Sequence, residues 1–305
     1  MSSNRSKKYV SFGFMGDLRA VLNDLSRKTS AQHKIAVLFF LLIGVVLRAV
    51  LLGRPIMFGE AEMYMDFATL PLGELIVASA ASGNFVLNAL LTKISTGLFG
   101  VGVVQLRLPN FIAGVLCMPL FYLFVRSMFN RYIALTTLAL VACSGPLIGI
   151  GALAYGFGMC GLFFVASLVL GRHFIKSNDL TSGLLIALLN ALGLWTMPSY
   201  CYAALAVFLW LFISLLMGYT TSLRERIIRL VFLFLVFLAL AFLLYAPMLQ
   251  VHGFDQVIDH HSRPLLDWRT FDQKHTDMAF ALWTVAESGT SGVMVFFGLI
   301  GLVYA

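Results

Sequence analysis

Residues 35–53 read IAVLFFLLIGVVLRAVLLG, and Arg48 is the only charged residue in this stretch. The hydrocarbon core of a bilayer requires about 20 mostly apolar residues per helix, so the stretch predicts a membrane span. The whole chain of 305 residues has the same character, with 60% hydrophobic and 11% charged residues. Soluble domains average about 45–50% apolar and about 25% charged residues. The composition therefore excludes a soluble enzyme, a disordered chain and a disulfide scaffold, and indicates an all-α, polytopic membrane protein.

Further apolar stretches follow the first one and predict a helical bundle of about eight transmembrane helices. They are residues 107–128, 132–152, 155–171, 181–197, 199–217, 228–247 and 291–305. The last stretch stops inside an apolar run, which suggests a longer original chain. Residues 1–34 combine Lys and Arg with apolar residues at helical spacing, which predicts a basic, amphipathic cytoplasmic segment on anionic lipid. Residues 35–305 then form a single transmembrane domain.

The distribution of charge predicts the orientation in the membrane. The chain has 21 Lys and Arg residues against 14 Asp and Glu residues, a net charge of +7. With a cytoplasmic N-terminus, 14 of the 21 basic residues lie in cytoplasmic segments and ten of the 14 acidic residues lie outside. Cytoplasmic loops of membrane proteins are enriched in Lys and Arg. We therefore expect a multi-pass protein of the plasma (inner) membrane with its N-terminus inside, whose basic charge requires no nucleic-acid partner.

Two long connections fall on the predicted outer face, residues 54–106 and 248–290. Within the first, residues 84–99 read NFVLNALLTKISTGLF and place an apolar stripe beside a polar stripe at helical spacing. Sixteen helical residues reach only about 24 Å, which is shorter than the bilayer core. We expect a helix in the outer interface, whose polar stripe is either an exposed face or the lining of a cavity.

Several motifs follow one another in a characteristic order. They are FGEAEMY (58–64), GNFVLNALLTKISTGLFG (83–100), LRLPNFIAGVLCMPLFYLFVRSMF (106–129), LGLWTMPSYCY (192–202) and LLYAPML (243–249). In these motifs and their order the chain resembles the C superfamily (GT-C) of polytopic membrane glycosyltransferases, in the bacterial branch related to protein O-mannosyltransferases and aminoarabinose transferases. The resemblance implies a first span, an outer loop that opens with an acidic motif, an interfacial helix, and a second span that opens with Arg-Leu-Pro.

The resemblance also implies a reaction. It is the inverting transfer of a sugar from a polyprenyl-phosphate donor to an acceptor lipid, glycan or protein at the outer face. A first-loop carboxylate acts as the base for the acceptor hydroxyl, and cationic groups neutralise the leaving phosphate. The candidate residues are Glu60 and Glu62 for catalysis, Arg107 and Arg54 for the donor phosphate, and Asp66, Asn84 and Asn88 for the acceptor cavity.

Two further charged sites lie outside these motifs. His260 and His261 adjoin Asp259 in the second outer loop, and with a first-loop carboxylate they are weak candidates for a divalent metal site. Otherwise the sequence implies no cofactor. Arg48 lies about one turn inside the membrane boundary, so we expect it to snorkel or to pair with Glu60 or Glu62.

The chain departs from the family pattern at three places. Gly59 stands where relatives have Asp before Glu-Ala, and Phe85 stands where many have His. Residues 153–159, LAYGFGM, carry no charge where relatives often have an Arg-Gly-Tyr stretch. A catalytically degenerate membrane subunit or scaffold is therefore an alternative to the enzyme.

A transporter of a lipid-linked sugar is a second alternative. Coupled transporters usually need ionisable groups near the midplane, but residues 132–247 contain acidic residues only in connecting segments. A cavity holding Glu60 or Glu62 within reach of Arg107 would favour the enzyme. A site plugged by Phe85 and other side chains would favour the scaffold.

Overall fold

The computed structural model describes residues 30–77, 85–217 and 222–258, and within these ranges the chain is helical and has no strand. A π-helical turn spans Tyr64–Ala68, and a 3-10 turn spans Pro198–Tyr200. The predicted all-α class is confirmed. The described α-helices are α1 (Ala31–Leu52), α2 (Phe58–Met63), α3 (Leu72–Val77), α4 (Val86–Phe99), α5 (Val103–Met128), α6 (Arg131–Cys143), α7 (Gly145–Ala152), α8 (Phe157–Ser177), α9 (Leu180–Thr196), α10 (Cys201–Leu216) and α11 (Leu223–Ile258).

Five of the described helices are long and apolar enough to cross a membrane, or six if the bent pair α6 and α7 is one span. The five are α1, α5, α8, α10 with its 3-10 turn, and α11. Helix α9, predicted as a span over 181–197, has 17 residues and belongs to the shorter apolar helices. Helix α11 continues to Ile258, so the start of the predicted outer loop 248–290 is helical. The predicted span 291–305 lies outside the described residues.

The predicted single span 132–152 is broken at Ser144, where α6 and α7 meet at 59°. Pro146 lacks the N–H that would bond the carbonyl of Ala142, so this carbonyl has no helical partner at the break. Arg48 takes that place: its guanidinium donates to the carbonyls of Ala142 at 3.3 Å and Val141 at 3.2 Å. Arg48 is buried and therefore does not snorkel, and the expectation that it pairs with Glu60 or Glu62 is wrong.

The helices run between two ends of the bundle, which differ in charge. The loop end is where α1 and α7 finish and where α5 and α8 begin, and it carries α2, α3 and α4. At the opposite, basic end, Arg226 donates to the carbonyl of Ile175 at 2.7 Å, and Arg229 donates to that of Asn178, so both satisfy the C-terminus of α8. The described basic residues near this end are Lys34, Arg126, Arg131, Arg172, Lys176, Arg224, Arg226 and Arg229.

Helices α8 to α11 share the largest apolar core, with Phe174, Leu211 and Leu233 almost completely buried. Asn190 is fully buried among them and donates to Ser167 Oγ at 3.0 Å and to the carbonyl of Ile186 at 2.8 Å. These bonds satisfy the amide in an apolar interior, where an unpaired polar group is costly. The core holds α8 and α9 rigidly beneath the loop end.

Helix α4 confirms the predicted short helix but turns its polar stripe inward. Asn88 and Thr92 are fully buried, whereas Leu98 is 72% exposed. The reason is visible at Ser95, whose hydroxyl donates to the carbonyl of Gln105 at 2.8 Å. Pro109 has no N–H to bond that carbonyl, so the α5 backbone has a vacant acceptor facing α4. The polar stripe therefore faces protein, and of its two expected roles the exposed face is wrong.

Candidate functional site

Glu60 and Arg107, which the sequence singled out separately, form a buried ion pair at the loop end. Arg107 Nε lies 2.9 Å from Glu60 Oε1, and Arg107 Nη2 lies 2.6 Å from Glu60 Oε2. The two residues are 0% and 2% exposed. This bidentate geometry is the strongest arrangement available to the two groups, and burial shields it from solvent. It joins α2 to the start of α5.

The rest of the Arg107 guanidinium is engaged by backbone carbonyls. Nη1 donates to Leu51, Leu52 and Arg54 at 2.8–3.1 Å, and Nη2 also donates to Pro55 at 3.1 Å. A guanidinium has five N–H groups, and each of its nitrogens here already has a partner. Arg107 therefore binds the backbone at the end of α1 and just after it. A donor phosphate could reach the guanidinium only by displacing one of these contacts.

Glu60 is saturated in the same way. In addition to Arg107, it accepts the N–H of Met57 at 3.0 Å, which caps α2, and the N–H of Ala154 at 2.9 Å. A carboxylate offers about four acceptor positions, and all are filled. Burial alone would raise the pKa of Glu60, but the hydrogen bonds from Arg107, Met57 and Ala154 outweigh it and hold the pKa below its ordinary value. Glu60 is thus ionised, inaccessible and weakly basic.

The turn between α7 and α8 is held by two buried asparagines as well as by Glu60. Asn88 donates to the carbonyl of Ala154 at 2.5 Å, and Glu60 accepts the N–H of Ala154. Both backbone polar groups of Ala154 therefore have side-chain partners. Asn110 donates to the carbonyls of Ile150 and Leu153 and accepts the N–H of Met159 at 3.1 Å. These contacts close the turn against α4 and α5 and fix the backbone on either side of Tyr155.

Tyr155 fills the space beside Gly59. A Cβ built on Gly59 would overlap the Tyr155 hydroxyl and lie 3.1 Å from its ring. The ring also contacts Phe85 and Phe157, with centroid distances of 6.5 Å and 6.1 Å. Burial and the nearby charges of Glu60 and Glu62 raise the pKa of Tyr155, so the phenol is neutral at physiological pH. A neutral aromatic cluster thus occupies the place next to the carboxylates.

The other predicted site residues are more open. Glu62 is half-buried on α2, and in the described part of the chain it makes no hydrogen bond or ion pair. Asp66 and Arg54 are exposed. Within the described residues no group of three His, Cys, Asp or Glu side chains could hold a metal ion. Asn84 and the weak metal candidates His260 and His261 lie outside these residues.

Sequence analysis did not single out Asn110 or Tyr155 as site residues. Asn110 could have been found, because it follows Arg107 by three residues and a helix brings these positions onto one face. No sequence signal shows that the backbone of Ala154 would bind Glu60. No protein-family model, curated protein or solved structure matches the chain, so the geometry of the loop end carries the functional argument.

Proposed function

We propose that the chain is a multi-pass membrane glycosyltransferase that transfers a sugar from a polyprenyl-phosphate donor to an acceptor at the outer face, with inversion. In this proposal Glu62 is the general base, and Glu60 with Arg107 positions it. The observation that carries the proposal is a half-buried, unpaired carboxylate on a short helix that a saturated ion pair fixes at the end of the bundle. A base needs both a fixed position and free lone pairs, and Glu62 combines them where Glu60 does not.

The proposed orientation follows from the charges at the two ends. Eight of the 12 Lys and Arg residues in the described ranges lie near the basic end, and Glu60, Glu62, Asp66 and Glu74 lie at the loop end. The preference of Lys and Arg for the cytoplasmic side supports a cytoplasmic basic end and a loop end that faces outward. Exposed Arg54 is free to meet a lipid phosphate at this boundary.

The proposal is tested on lipids extracted from cells that produce the full chain or its variants. Deletion of the gene for this chain should raise the amount of one polyprenyl-phosphate sugar, measured by mass spectrometry, because the transferase no longer consumes it. Glu62→Gln should reproduce this accumulation at a normal protein level. The control is Glu74→Gln, which changes an exposed carboxylate on α3 and should leave the lipid pool unchanged. A Glu62→Gln strain with normal pools would refute the base assignment.

A specific observation favours a second candidate, a non-catalytic membrane subunit of the same fold. Tyr155, with Phe85 against its ring, fills the space beside Gly59, where the family resemblance implies a further carboxylate. A subunit of this kind would stabilise a partner without binding donor. Deletion of the gene for this chain would then lower the amount of a partner protein. The Glu62→Gln variant, produced in the deletion strain, would restore that amount fully.

A further inference from the structure

A cavity of about 190 Å³ lies inside the bundle among α1, α5, α6, α7 and α8, apart from the carboxylates of the loop end. Its wall is apolar except for Arg48, which is 2% exposed. Leu147, Ile150 and Phe157 in its lining are 39–41% exposed, so the cavity opens on an apolar outer surface of the bundle, which would face lipid if these helices span a membrane. An apolar cavity with a single buried cation is unusual, because burial of an uncompensated charge is costly.

The bonds of Arg48 leave part of its guanidinium unused. Nη1 donates to the carbonyls of Gly44 and Ala142, and Nη2 donates to that of Val141. Nε has no hydrogen-bond partner, and no carboxylate in the described chain lies within ion-pair distance of Arg48. Carbonyl dipoles orient the cation but do not cancel its charge. The cavity therefore has room for an anion and a donor that is free to bind it.

The charged and apolar parts of the cavity wall are arranged to match the charged head and the apolar chain of a lipid. Arg48 lies four residues before the end of α1, about 6 Å below the loop end at 1.5 Å per residue. The apolar wall extends deeper: Cys117 and Phe121 follow Arg107 by ten and 14 residues along α5, about 15 and 21 Å. Charge near the membrane boundary and apolar surface toward the middle match a lipid head and the chain below it.

Glycines keep this space open. A Cβ on Gly151 would lie 3.4 Å from Arg48 Nε, and a Cβ on Gly114 would lie 3.0 Å from the Cα of Gly151, so side chains here would crowd Arg48. Gly161 lines the wall opposite, and the nearest atom to a Cβ there is Cys117 Sγ at 3.9 Å. A cavity of about 150 Å³ holds benzene, so this one holds a lipid head with its first few carbons.

We propose that this cavity binds the phosphate end of a single-chain lipid, with the Arg48 guanidinium against the phosphate and the apolar wall around the first part of the chain. The chain leaves through the open rim into the bilayer. The lipid is either an isoprenoid phosphate or an acyl-chain phosphate, which share this chemistry. Identification of the lipid with the sugar donor rests on the proposed function, whereas the binding site does not.

The test measures binding to the purified full chain in neutral detergent by native mass spectrometry. The probes are geranyl phosphate, dodecyl phosphate, geraniol and inorganic phosphate. Both lipid phosphates should bind, and geraniol and inorganic phosphate should not, because each lacks one half of the recognised structure. Preference for geranyl phosphate assigns the site to isoprenoid carriers, and equal binding assigns it to lipid phosphates in general. Equal binding of geraniol would overturn the role of Arg48.

Two variants and one control locate the binding. Arg48→Gln should weaken lipid-phosphate binding at least about tenfold, since it removes a charge-assisted contact. Gly161→Leu should do the same by filling the cavity while Arg48 keeps its bonds, so it remains informative if Arg48→Gln does not fold. Gly149→Leu is the matched control, because Gly149 has open space and does not line the cavity. Undiminished binding in Gly161→Leu would overturn the proposal.

The outcomes separate this inference from the proposed function. If Glu62→Gln leaves the lipid-linked sugar pools normal but geranyl phosphate still depends on Arg48 and Gly161, the lipid site stands without the transferase. If the pools respond to Glu62→Gln but no lipid phosphate binds, the site is refuted and the transferase stands.

Discussion

Removal of the Glu60 charge should destabilise the chain strongly, although the change is isosteric. In Glu60→Gln one oxygen can still accept from Arg107 Nε and Ala154, but the new amide faces the donors of Arg107 Nη2 and Met57, which now lie 2.6 Å and 3.0 Å from Oε2. Two hydrogen bonds are lost and the Arg107 charge is left uncompensated. Loss of one partner of a buried ion pair costs about 3–5 kcal/mol. We expect that decrease in the free energy of unfolding.

The assay is unfolding of the purified chain in mixed micelles by titration with SDS, followed by tryptophan fluorescence. A double-mutant cycle with Arg107→Met isolates the interaction from the other contacts, and we expect a coupling free energy of about 2–3 kcal/mol. Glu62→Gln is the control on the same helix and should change stability by less than about 0.5 kcal/mol, since Glu62 makes none of these bonds. A coupling below about 0.5 kcal/mol would refute the structural role of the pair.

Three further perturbations test the loop end and its orientation. Because its contacts lower the Glu60 pKa below the ordinary 4.5, its stabilisation is complete above about pH 4.5 and is lost as the pH falls through the lowered pKa. SDS unfolding between pH 6 and pH 3 should show this loss in the wild type and much less of it in Glu60→Gln; parallel profiles would contradict it. Gly59→Ala should cost about 1 kcal/mol or less, because the overlapping Tyr155 hydroxyl makes no hydrogen bond within the described residues and can move away, and addition of Tyr155→Ala should remove this cost; a cost above about 3 kcal/mol would show that Tyr155 cannot move. In a background without native cysteines, Gly73→Cys should react with an impermeant maleimide on whole cells and Ser127→Cys should not; the reverse labelling would invert the proposed orientation.

The scarcity of charge allowed the sequence to identify both members of the central ion pair but not the pair itself. Glu60 and Arg107 are 47 positions apart, and their contact depends on how the first loop folds over α5. No periodicity within either segment contains that information. Arg48 was assigned the wrong partner for the same reason, because a predicted straight span over 132–152 hid the free carbonyls at its break. Pro146, which leaves the carbonyl of Ala142 without a helical partner, was visible in the sequence.

Helix α4 shows a different limit of sequence reasoning. Its length correctly predicted a helix too short to span a membrane, since helix length follows from residue count alone. A polar stripe, however, is compatible with water or with buried backbone carbonyls, and the pattern is identical in the two cases. The distinguishing fact was Pro109, which leaves the carbonyl of Gln105 without a helical partner for Ser95 to satisfy. Prolines on one helix therefore help to predict which face its neighbour buries.

The enzyme and the non-catalytic subunit proposed above differ mainly in what the Tyr155 side chain does. Glu60, Asn88 and Asn110 fix the backbone around the site through buried hydrogen bonds, so this framework serves an enzyme and a subunit equally well. Tyr155 is held differently: in the described chain its hydroxyl makes no hydrogen bond, and its ring has aromatic contacts only. Rotation of Tyr155 would open the space beside Gly59 and Glu62 without breaking any bond of the framework. In the proposed transferase this rotation would admit an acceptor hydroxyl beside Glu62, whereas in the proposed subunit the ring would stay against Gly59.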